Sequence, residues 1–152
     1  MAECYRWGYG CVRDAARSLE LARESSGKGS RYGQYVLGRL YELGGVGFVM
    51  DGASGAVLYQ LAAAQNFDRA QYRLGNMYHY GDGVAQDPAE AVRLWQLAAA
   101  QGHPAALFYV ATCHEHGLGG VPENKAEAIR WYRRAQAAGY PYAADALRRL
   151  RA

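Results

Sequence analysis

The chain has 152 residues, of which 51% are hydrophobic and 20% are charged, and its formal net charge is +3 at pH 7. This length suits one domain or one short repeat array, and so small a charge argues against the dense basic surface that binds nucleic acid. No segment approaches the roughly 20 apolar residues of a membrane-spanning helix and the first residues lack a signal peptide, so we expect a soluble protein of the cytoplasm or an organelle interior.

The chain repeats itself with a period of 36 to 37 residues, in stretches that begin at Leu37, Leu74 and Val110. "LWQLAAAQG", which starts at Leu94, matches "LYQLAAAQN", which starts at Leu58, at seven of nine positions. A Gly-x-Gly pair also recurs, at Gly8/Gly10, Gly45/Gly47, Gly81/Gly83 and Gly117/Gly119. Periods of this size predict a helical solenoid, in which each unit needs its neighbours to bury its apolar faces.

The pattern divides the chain into a partial first unit, three complete helix-turn-helix units and a capping helix: 1–30, 31–66, 67–102, 103–139 and 140–152. The first helix of a unit is clearest where Ala70, Leu74 and Tyr78 recur at i, i+4 and i+8, on one apolar face. Gly81 should end this helix, because glycine accepts the positive φ of a helix C-terminus. The predicted fold is therefore all-α, and the partial first unit fits a segment of a longer protein or of a larger complex.

The second helix of a unit begins with a distinct signal. Asp87 is the predicted N-cap, Pro88 occupies the first helical position, and Glu90 has the spacing of a capping box. Asn124 and Glu127 repeat that spacing one unit later. The residues of this helix that share an apolar face are Ala91, Leu94, Trp95 and Ala98.

The repeated string "QLAAAQ" marks the predicted packing surface between neighbouring units. Ala98, Ala99 and Gly75 are small enough for the helices there to approach closely. The last helix places Arg148 where Gly75 stands, and a position that receives no further unit need not be small. We expect its arginines to form the polar outer face of a terminal cap.

From Ala70 to Ala106 the chain reads "AQYRLGNMYHYGDGVAQDPAEAVRLWQLAAAQGHPAA", which resembles a Sel1-like repeat. The resemblance rests on Ala70, Leu74, Gly75, Tyr78, Gly81, Gly83, Val84, Asp87, Ala91, Trp95, Ala98, Ala99 and Gly102. In weaker copies, Ala111 and His114 replace the first glycine and the tyrosine, and Gly55 replaces Ala91. The resemblance implies an α/α solenoid, a right-handed superhelix of the tetratricopeptide type. It also implies a non-catalytic scaffold or adaptor that works by protein–protein interaction.

A solenoid of this type has a concave face lined by the first helix of each unit. By analogy with tetratricopeptide arrays, the inward positions are Tyr35, Tyr72 and Phe108, then Arg39, Asn76 and Thr112, then Glu42, His79 and Glu115. An aromatic row flanked by varied polar residues is typical of a peptide groove, so a protein or peptide is the expected partner. The alternative interpretation is that these rings pack between helices.

The cysteines and histidines give little indication of a metal site or of a cofactor, and we expect neither. His114 and His116 are two residues apart and diverge by about 200° on a helix, whereas metal-binding histidines on a helix are usually four apart. Cys113 next to them has a simpler explanation as a packing residue. Cys4 and Cys11 either form a disulfide or are two small buried residues.

Catalysis and nucleic-acid binding remain alternatives. The glycine loops follow helices and are better explained as turns than as phosphate cradles, and a hydrolase is suggested only by activities within the wider family. Positive charge concentrates near the C-terminus, in Arg130, Arg133, Arg134, Arg148, Arg149 and Arg151. These arginines predict either a solvated cap or a docking patch for RNA or an acidic protein surface.

Overall fold

The computed structural model describes residues 12–44 and 49–151. Within these ranges the chain is all-α, as the repeat pattern predicts, and contains no strand. The helices are α1 (Val12–Gly27), α2 (Arg31–Leu43), α3 (Gly52–Ala64), α4 (Asp68–Tyr80), α5 (Pro88–Ala100), α6 (Pro104–His116), α7 (Lys125–Ala137) and α8 (Ala143–Arg151). Each packs mainly against the helices before and after it, which makes an α/α solenoid. None of these helices is both long and apolar enough to span a lipid bilayer.

The solenoid has two layers. The first helices of the units are α2, α4, α6 and α8, and the second helices are α1, α3, α5 and α7. At the centre of each complete unit one large ring of the second helix is at most 2% exposed, and these rings are Tyr59, Trp95 and Tyr132. Equivalent positions along the chain therefore build equivalent cores.

Gly75 lies at the contact between the two helices of its own unit. A Cβ atom on Gly75 would come within 2.7 Å of the Trp95 ring and 3.2 Å of the Ala91 carbonyl oxygen. Gly38 faces Tyr59 in the same way, at 3.0 Å, one unit earlier. The expectation that Gly75 serves the contact between units is therefore wrong, because the small residue makes room for a ring within the unit.

Ala98 and Ala99 do meet the neighbouring unit. Both are fully buried, in one apolar cluster with Ala106, Leu107 and Val110 of α6. Methyl groups at these positions let α5 and α6 approach closely, since a larger side chain would hold the helices apart. The alanines of the repeated string therefore pack between units, as predicted.

Gln101, the last residue of the repeated string "QLAAAQ", links its helix to neighbouring segments through side-chain hydrogen bonds. The Gln101 side-chain amide donates to Gln71 Oε1 at 2.8 Å and to Asn66 Oδ1 at 3.1 Å. Gln71 is only 2% exposed, and its buried amide needs such partners. The bond to Gln71 joins α5 to α4, and the bond to Asn66 reaches the linker of the preceding unit. Gln65 makes the equivalent bonds, to Gln34 and Gly29.

The turn between the two helices of a unit contains two glycines with different roles. Gly81 has a φ of 72° and ends α4, as predicted, and Gly117 ends α6 with a φ of 65°. The second glycine of the pair lies against the preceding unit, where a Cβ atom on Gly83 would come 2.2 Å from the carbonyl carbon of Gly52. On Gly119 it would come 2.5 Å from the carbonyl oxygen of Pro88. Each of these loops therefore rests on the start of the preceding second helix.

The start of α5 follows the prediction in part. Asp87 is the N-cap and accepts hydrogen bonds from the backbone N–H groups of Ala89 and Glu90, both at 3.0 Å. The reciprocal bond of the capping box is absent, because the Asp87 N–H donates to the Tyr78 carbonyl at 2.9 Å. The Glu90 carboxylate binds Arg93 instead, at 2.8 Å. The capping-box prediction is therefore wrong in its second half.

The start of α7 shows the same departure. Asn124 accepts a hydrogen bond from the Glu127 N–H at 3.1 Å, while its own N–H donates to the His114 carbonyl. The Glu127 carboxylate pairs with Arg130 at 3.1 Å. The preceding first helix thus supplies the acceptor that the capping glutamate would have provided.

Candidate partner-binding surface

The three aromatic residues predicted to face inward each contact the ring of a linker residue that follows the second helix of their own unit. The pairs are Tyr35 with Phe67, Tyr72 with His103, and Phe108 with Tyr140. Their ring centroids lie 4.6 to 5.3 Å apart, the range of favourable aromatic contacts. The linker ring was not predicted, although an aromatic residue recurs there with the period of the repeat.

Exposure separates the three predicted rings. Tyr35 is 9% exposed and also packs on Tyr59, at 5.8 Å, so the protein covers most of its ring. Tyr72 and Phe108 are half-buried and keep part of their surface open. The usable part of the predicted aromatic row therefore lies in the middle and C-terminal units.

There the rings belong to a larger surface, which we term the tyrosine strip and define as Tyr72, Tyr109, Tyr140 and Tyr142. The Tyr72 and Tyr109 rings lie 5.8 Å apart and join α4 to α6, and the Tyr140 and Tyr142 rings lie 5.7 Å apart just before α8. Phe108 joins the two pairs, 6.1 Å from Tyr109 and 4.8 Å from Tyr140. Tyr142 is 63% exposed. The strip thus crosses two unit boundaries.

The ring of Tyr109 packs against a buried tryptophan. It stacks on Trp95 at 4.9 Å, and the Trp95 indole N–H donates to Asn76 Oδ1 at 3.0 Å. Burial raises the pKa of Tyr109 above its ordinary value, and the nearby Tyr72 and Tyr80 hydroxyls raise it further. The Tyr109 hydroxyl is therefore neutral at physiological pH and can donate a hydrogen bond.

Predicted polar positions in the last complete unit form a network around Glu115. Its carboxylate, which is 7% exposed, accepts hydrogen bonds from the Tyr132 hydroxyl at 2.7 Å and from Arg149 Nη2 at 3.0 Å. Arg149 holds the pKa of Glu115 below its ordinary value. Thr112 Oγ1 lies 3.1 Å from the same Tyr132 hydroxyl. Glu115 therefore also joins its unit to α8, whereas the Thr112 contact stays within its own unit.

Glu42 repeats this arrangement at the other end of the array. It accepts hydrogen bonds from the Tyr59 hydroxyl and, at 3.2 Å, from Arg73 on the next first helix. In the middle unit His79 takes the position of the glutamate, and its ring lies 5.3 Å from the Trp95 ring. The first and last complete units thus have a charged pair at this position, and the middle unit has an aromatic contact. Within the described ranges, the buried Arg39 Nε has no hydrogen-bond partner.

The family model for the Sel1 repeat matches residues 1–30, 31–67, 68–103 and 104–140. The chain belongs to the Sel1 repeat family. Sel1 repeat proteins are generally scaffolds for protein interactions and are typically non-catalytic. No curated protein sequence matches the chain significantly.

Solved structures share the Sel1 fold. A Sel1 repeat protein from Oxalobacter formigenes is 28% identical with a TM-score of 0.80, over 90% of this chain and 56% of that one. The protective antigen c5321 of uropathogenic Escherichia coli is 31% identical with a TM-score of 0.82, over 92% of this chain and 30% of that one. Cysteine rich protein B (hcpB) of Helicobacter pylori is 16% identical with a TM-score of 0.68, over 92% of this chain and 99% of that one. The chain thus spans about half or less of the first two relatives.

Cys113 and His114, in the cluster that could suggest a metal site, both contribute buried atoms. Cys113 is 1% exposed, and burial raises its pKa to about 11, which disfavours the thiolate that a metal binds. His114 occupies the position of a Sel1 tyrosine, and its buried Nδ1 has no hydrogen-bond partner within the described ranges. The described residues contain no group of three potential metal ligands. Cys4 and Cys11 lie outside the described residues.

The C-terminal arginines are largely engaged within the protein. Arg130 pairs with Glu127, Arg148 with Asp145, and Arg149 with Glu115. The Arg134 guanidinium lies 4.2 Å from the centroid of the Trp131 ring, a cation–π contact. Arg133 is exposed on α7, and Arg151 is the last residue of α8. The pairs reduce the charge that this patch could offer to RNA or to an acidic protein.

Proposed function

We propose that this Sel1 repeat array is a non-catalytic interaction module that binds a peptide or protein segment along the concave face of its first helices. The observation that carries the proposal is the tyrosine strip, whose rings are fixed on one side and open on the other. Tyrosine is suited to such contacts, because it offers a large rigid apolar face and a polar end.

The predicted polar residues of this face add specificity in the proposal. Asn76 and His79 border the Trp95 and Tyr109 stack, and Glu115 lies at the C-terminal end of the same face. Tyr35 contributes by supporting the linker ring rather than by touching the partner. Arg39 and Thr112 complete the row of candidates.

The test begins with a partner captured by the purified chain and continues with its affinity for variants. Tyr142→Ala removes an exposed ring whose described ring contact is with Tyr140 alone, so the fold should survive. We expect the affinity to fall by about tenfold, because the variant removes a large aromatic contact of the proposed interface. Leu97→Ala is the control, because Leu97 is 40% exposed on the second helix α5.

Loss of affinity in Tyr142→Ala together with unchanged affinity in Leu97→Ala would support the proposed face. The reverse result would move the site to the layer of second helices. Circular dichroism of both variants establishes that each remains helical before the affinities are compared.

A further inference from the structure

We propose that the layer of second helices is a further interaction surface, through which two copies of this chain associate about a twofold axis. This layer is separate from the first helices that carry Tyr72 and Tyr109, so its role does not depend on the proposed function. Three features of the layer support a second copy as the partner: a helix without charges, the grooves beside that helix, and the order of charges from α1 to α7.

The helix α3 (Gly52–Ala64) contains no charged residue, and its solvent side is mostly apolar. Val57 is 55% exposed, and Leu61, one turn later, is 49% exposed. Leu97, the equivalent of Leu61 on α5, is exposed as well. A helix that is apolar all round is typical of a position covered on every side, and a contiguous exposed apolar surface marks an interaction site. The solvent side of α3 therefore has the composition of a covered surface.

Grooves flank the ridge that Val57 and Leu61 form on α3. One groove lies between α3 and α5, because both helices pack on α4 rather than on each other, and its apolar lining includes Leu74, Leu94 and Leu97. The groove on the other side of α3 is lined by Leu37, Tyr41, Ala53, Ser54, Val57 and Leu58. The same surface thus carries a ridge and the grooves that a matching ridge can fill.

A twofold axis parallel to the helices uses the ridge and the grooves at once. The α3 ridge of one copy enters the groove between α3 and α5 of the other copy, and symmetry makes the reverse contact identical. The helix α5 of each copy then lies over the second groove of the other, and α1 lies beside α5 and α7 of the other. The helices of the two copies run in the same direction, so equivalent residues lie at the same level along the helix axes.

Charges across the layer are ordered so that this arrangement brings opposite signs together. At three equivalent outward positions α1 carries the sign opposite to that on α7, and α3 is uncharged at all three. In chain order these positions are Arg17, Ser54, Glu90 and Glu127; Glu20, Val57, Arg93 and Arg130; and Glu24, Leu61, Leu97 and Arg134. The carboxylates of α1 therefore meet guanidinium groups of the other copy, and Arg17 meets glutamates. Arg23 departs from the pattern, since its equivalent on α7 is Arg133, but α5 carries the neutral Gln96 there.

The charged residues can exchange partners at little cost. In the single chain they pair within their own helix, and two such pairs are Arg17 with Glu20 at 3.4 Å and Glu127 with Arg130 at 3.1 Å. Exposed pairs of this kind contribute little to stability, so their replacement by contacts across an interface loses little. An unrelated partner would need its own matching order of charges, whereas a second copy supplies that order by symmetry.

The test is sedimentation velocity of the unmodified chain at increasing concentration. We expect one reversible step from the monomer to a species of twice the chain mass of 16.7 kDa. Leu61→Glu places a charge on the ridge and should weaken the association by at least about tenfold. Tyr142→Ala removes an exposed ring outside the second helices and is the control, for which we expect no change. Circular dichroism establishes that both variants remain helical.

Exchange of one charged pair separates self-association from other uses of the apolar surface. Glu20→Arg and Arg93→Glu should each weaken the association by about tenfold, and the double variant should recover most of the loss, because opposite signs again face each other. A double variant that associates no better than the single variants would overturn the inference. So would unchanged association of Leu61→Glu, growth beyond the dimer, or a chain that stays monomeric at about 100 µM, a concentration at which even a weak specific interface forms.

Discussion

The ring of Tyr72 lies stacked on the imidazole of His103, with 4.6 Å between the centroids and 25° between the planes. His103 is also the N-cap of α6, where its Nδ1 accepts a hydrogen bond from the Ala106 N–H at 3.2 Å. One side chain thus supports the tyrosine strip and begins the next unit. Protonation of His103 at Nδ1 would break the cap, because an imidazolium has no lone pair to accept the bond from Ala106.

The first prediction concerns acid sensitivity. Burial lowers the pKa of His103 in the folded chain, so the unfolded chain binds the proton more readily. The contribution of neutral His103 to stability is therefore present above the unfolded pKa of about 6.5 and decreases as the pH falls below it. We expect the urea midpoint to drop between pH 7.5 and pH 5.5, and His103→Asn, which retains a capping side chain, to reduce that drop.

His116→Asn is the control for this measurement, because His116 is exposed at the end of α6. His116 Nε2 lies 3.8 Å from Glu115 Oε1 and can pair with it when protonated, so His116→Asn should show at least the drop of the unmodified chain. An equal drop in His103→Asn would mean that another group causes the acid sensitivity.

The helices could be predicted from the sequence because their signals are local. Asp87 and Gly81 act as caps within a few residues of the backbone groups that they satisfy, and the period of the repeat then gives the fold. The reciprocal bond expected of Glu90 failed because a carbonyl of the preceding helix, at Tyr78, takes its place. Competition between groups that are far apart in the sequence cannot be recognised from a short sequence pattern.

The candidate site was predictable only in part, for the same reason. Tyr72 is predicted on the first helix, but its partners His103 and Tyr109 lie 31 and 37 residues further along the chain. The burial of Tyr35 depends on Phe67 and Tyr59, which one helical face does not reveal. The recurrence of an aromatic ring in the linkers is the signal that could have extended the prediction.

The second prediction concerns the ion pair of Glu42 and Arg73, whose side chains are 17% and 30% exposed. Removal of either partner leaves the other charge half-buried. The destabilisations caused by the two single changes to glutamine should therefore add up to more than the destabilisation caused by the double change. We expect a coupling free energy of about 1 kcal/mol from a double-mutant cycle measured by urea unfolding. The cycle on Arg17 and Glu20, a pair about 70% exposed on both sides, should give a value close to zero. Equal couplings would show that burial does not strengthen the inner pair.

The third prediction separates two roles of glycine in the loops. Gly83 and Gly102 have φ values of 70° and 84°, so alanine at either position costs roughly 1–2 kcal/mol in backbone strain. At Gly83 the new Cβ would also meet the backbone of Gly52, whereas at Gly102 nothing lies within 4 Å. We expect Gly83→Ala to be the more destabilising by about 1–3 kcal/mol. Similar unfolding free energies for the two variants would show that the loop does not press on the preceding unit.

The fourth prediction concerns the contact between Gly75 and Trp95. A leucine at position 75 would place its Cβ within 2.7 Å of a ring that is 2% exposed. Gly75→Leu should therefore destabilise the chain by roughly 2 kcal/mol or more through overpacking. Trp95 fluorescence should change as well, because the ring must shift away from α4.

Gly27→Leu is the matched control for this change. Gly27 ends α1 with an ordinary negative φ, and a Cβ atom added to it would meet no other atom within 4 Å, so leucine there should leave the stability nearly unchanged or raise it slightly. If Gly75→Leu and Gly27→Leu had the same unfolding midpoint, α4 and α5 could move apart without loss of stability. The unit core would then depend on the apolar area that it buries and not on the close approach of its two helices.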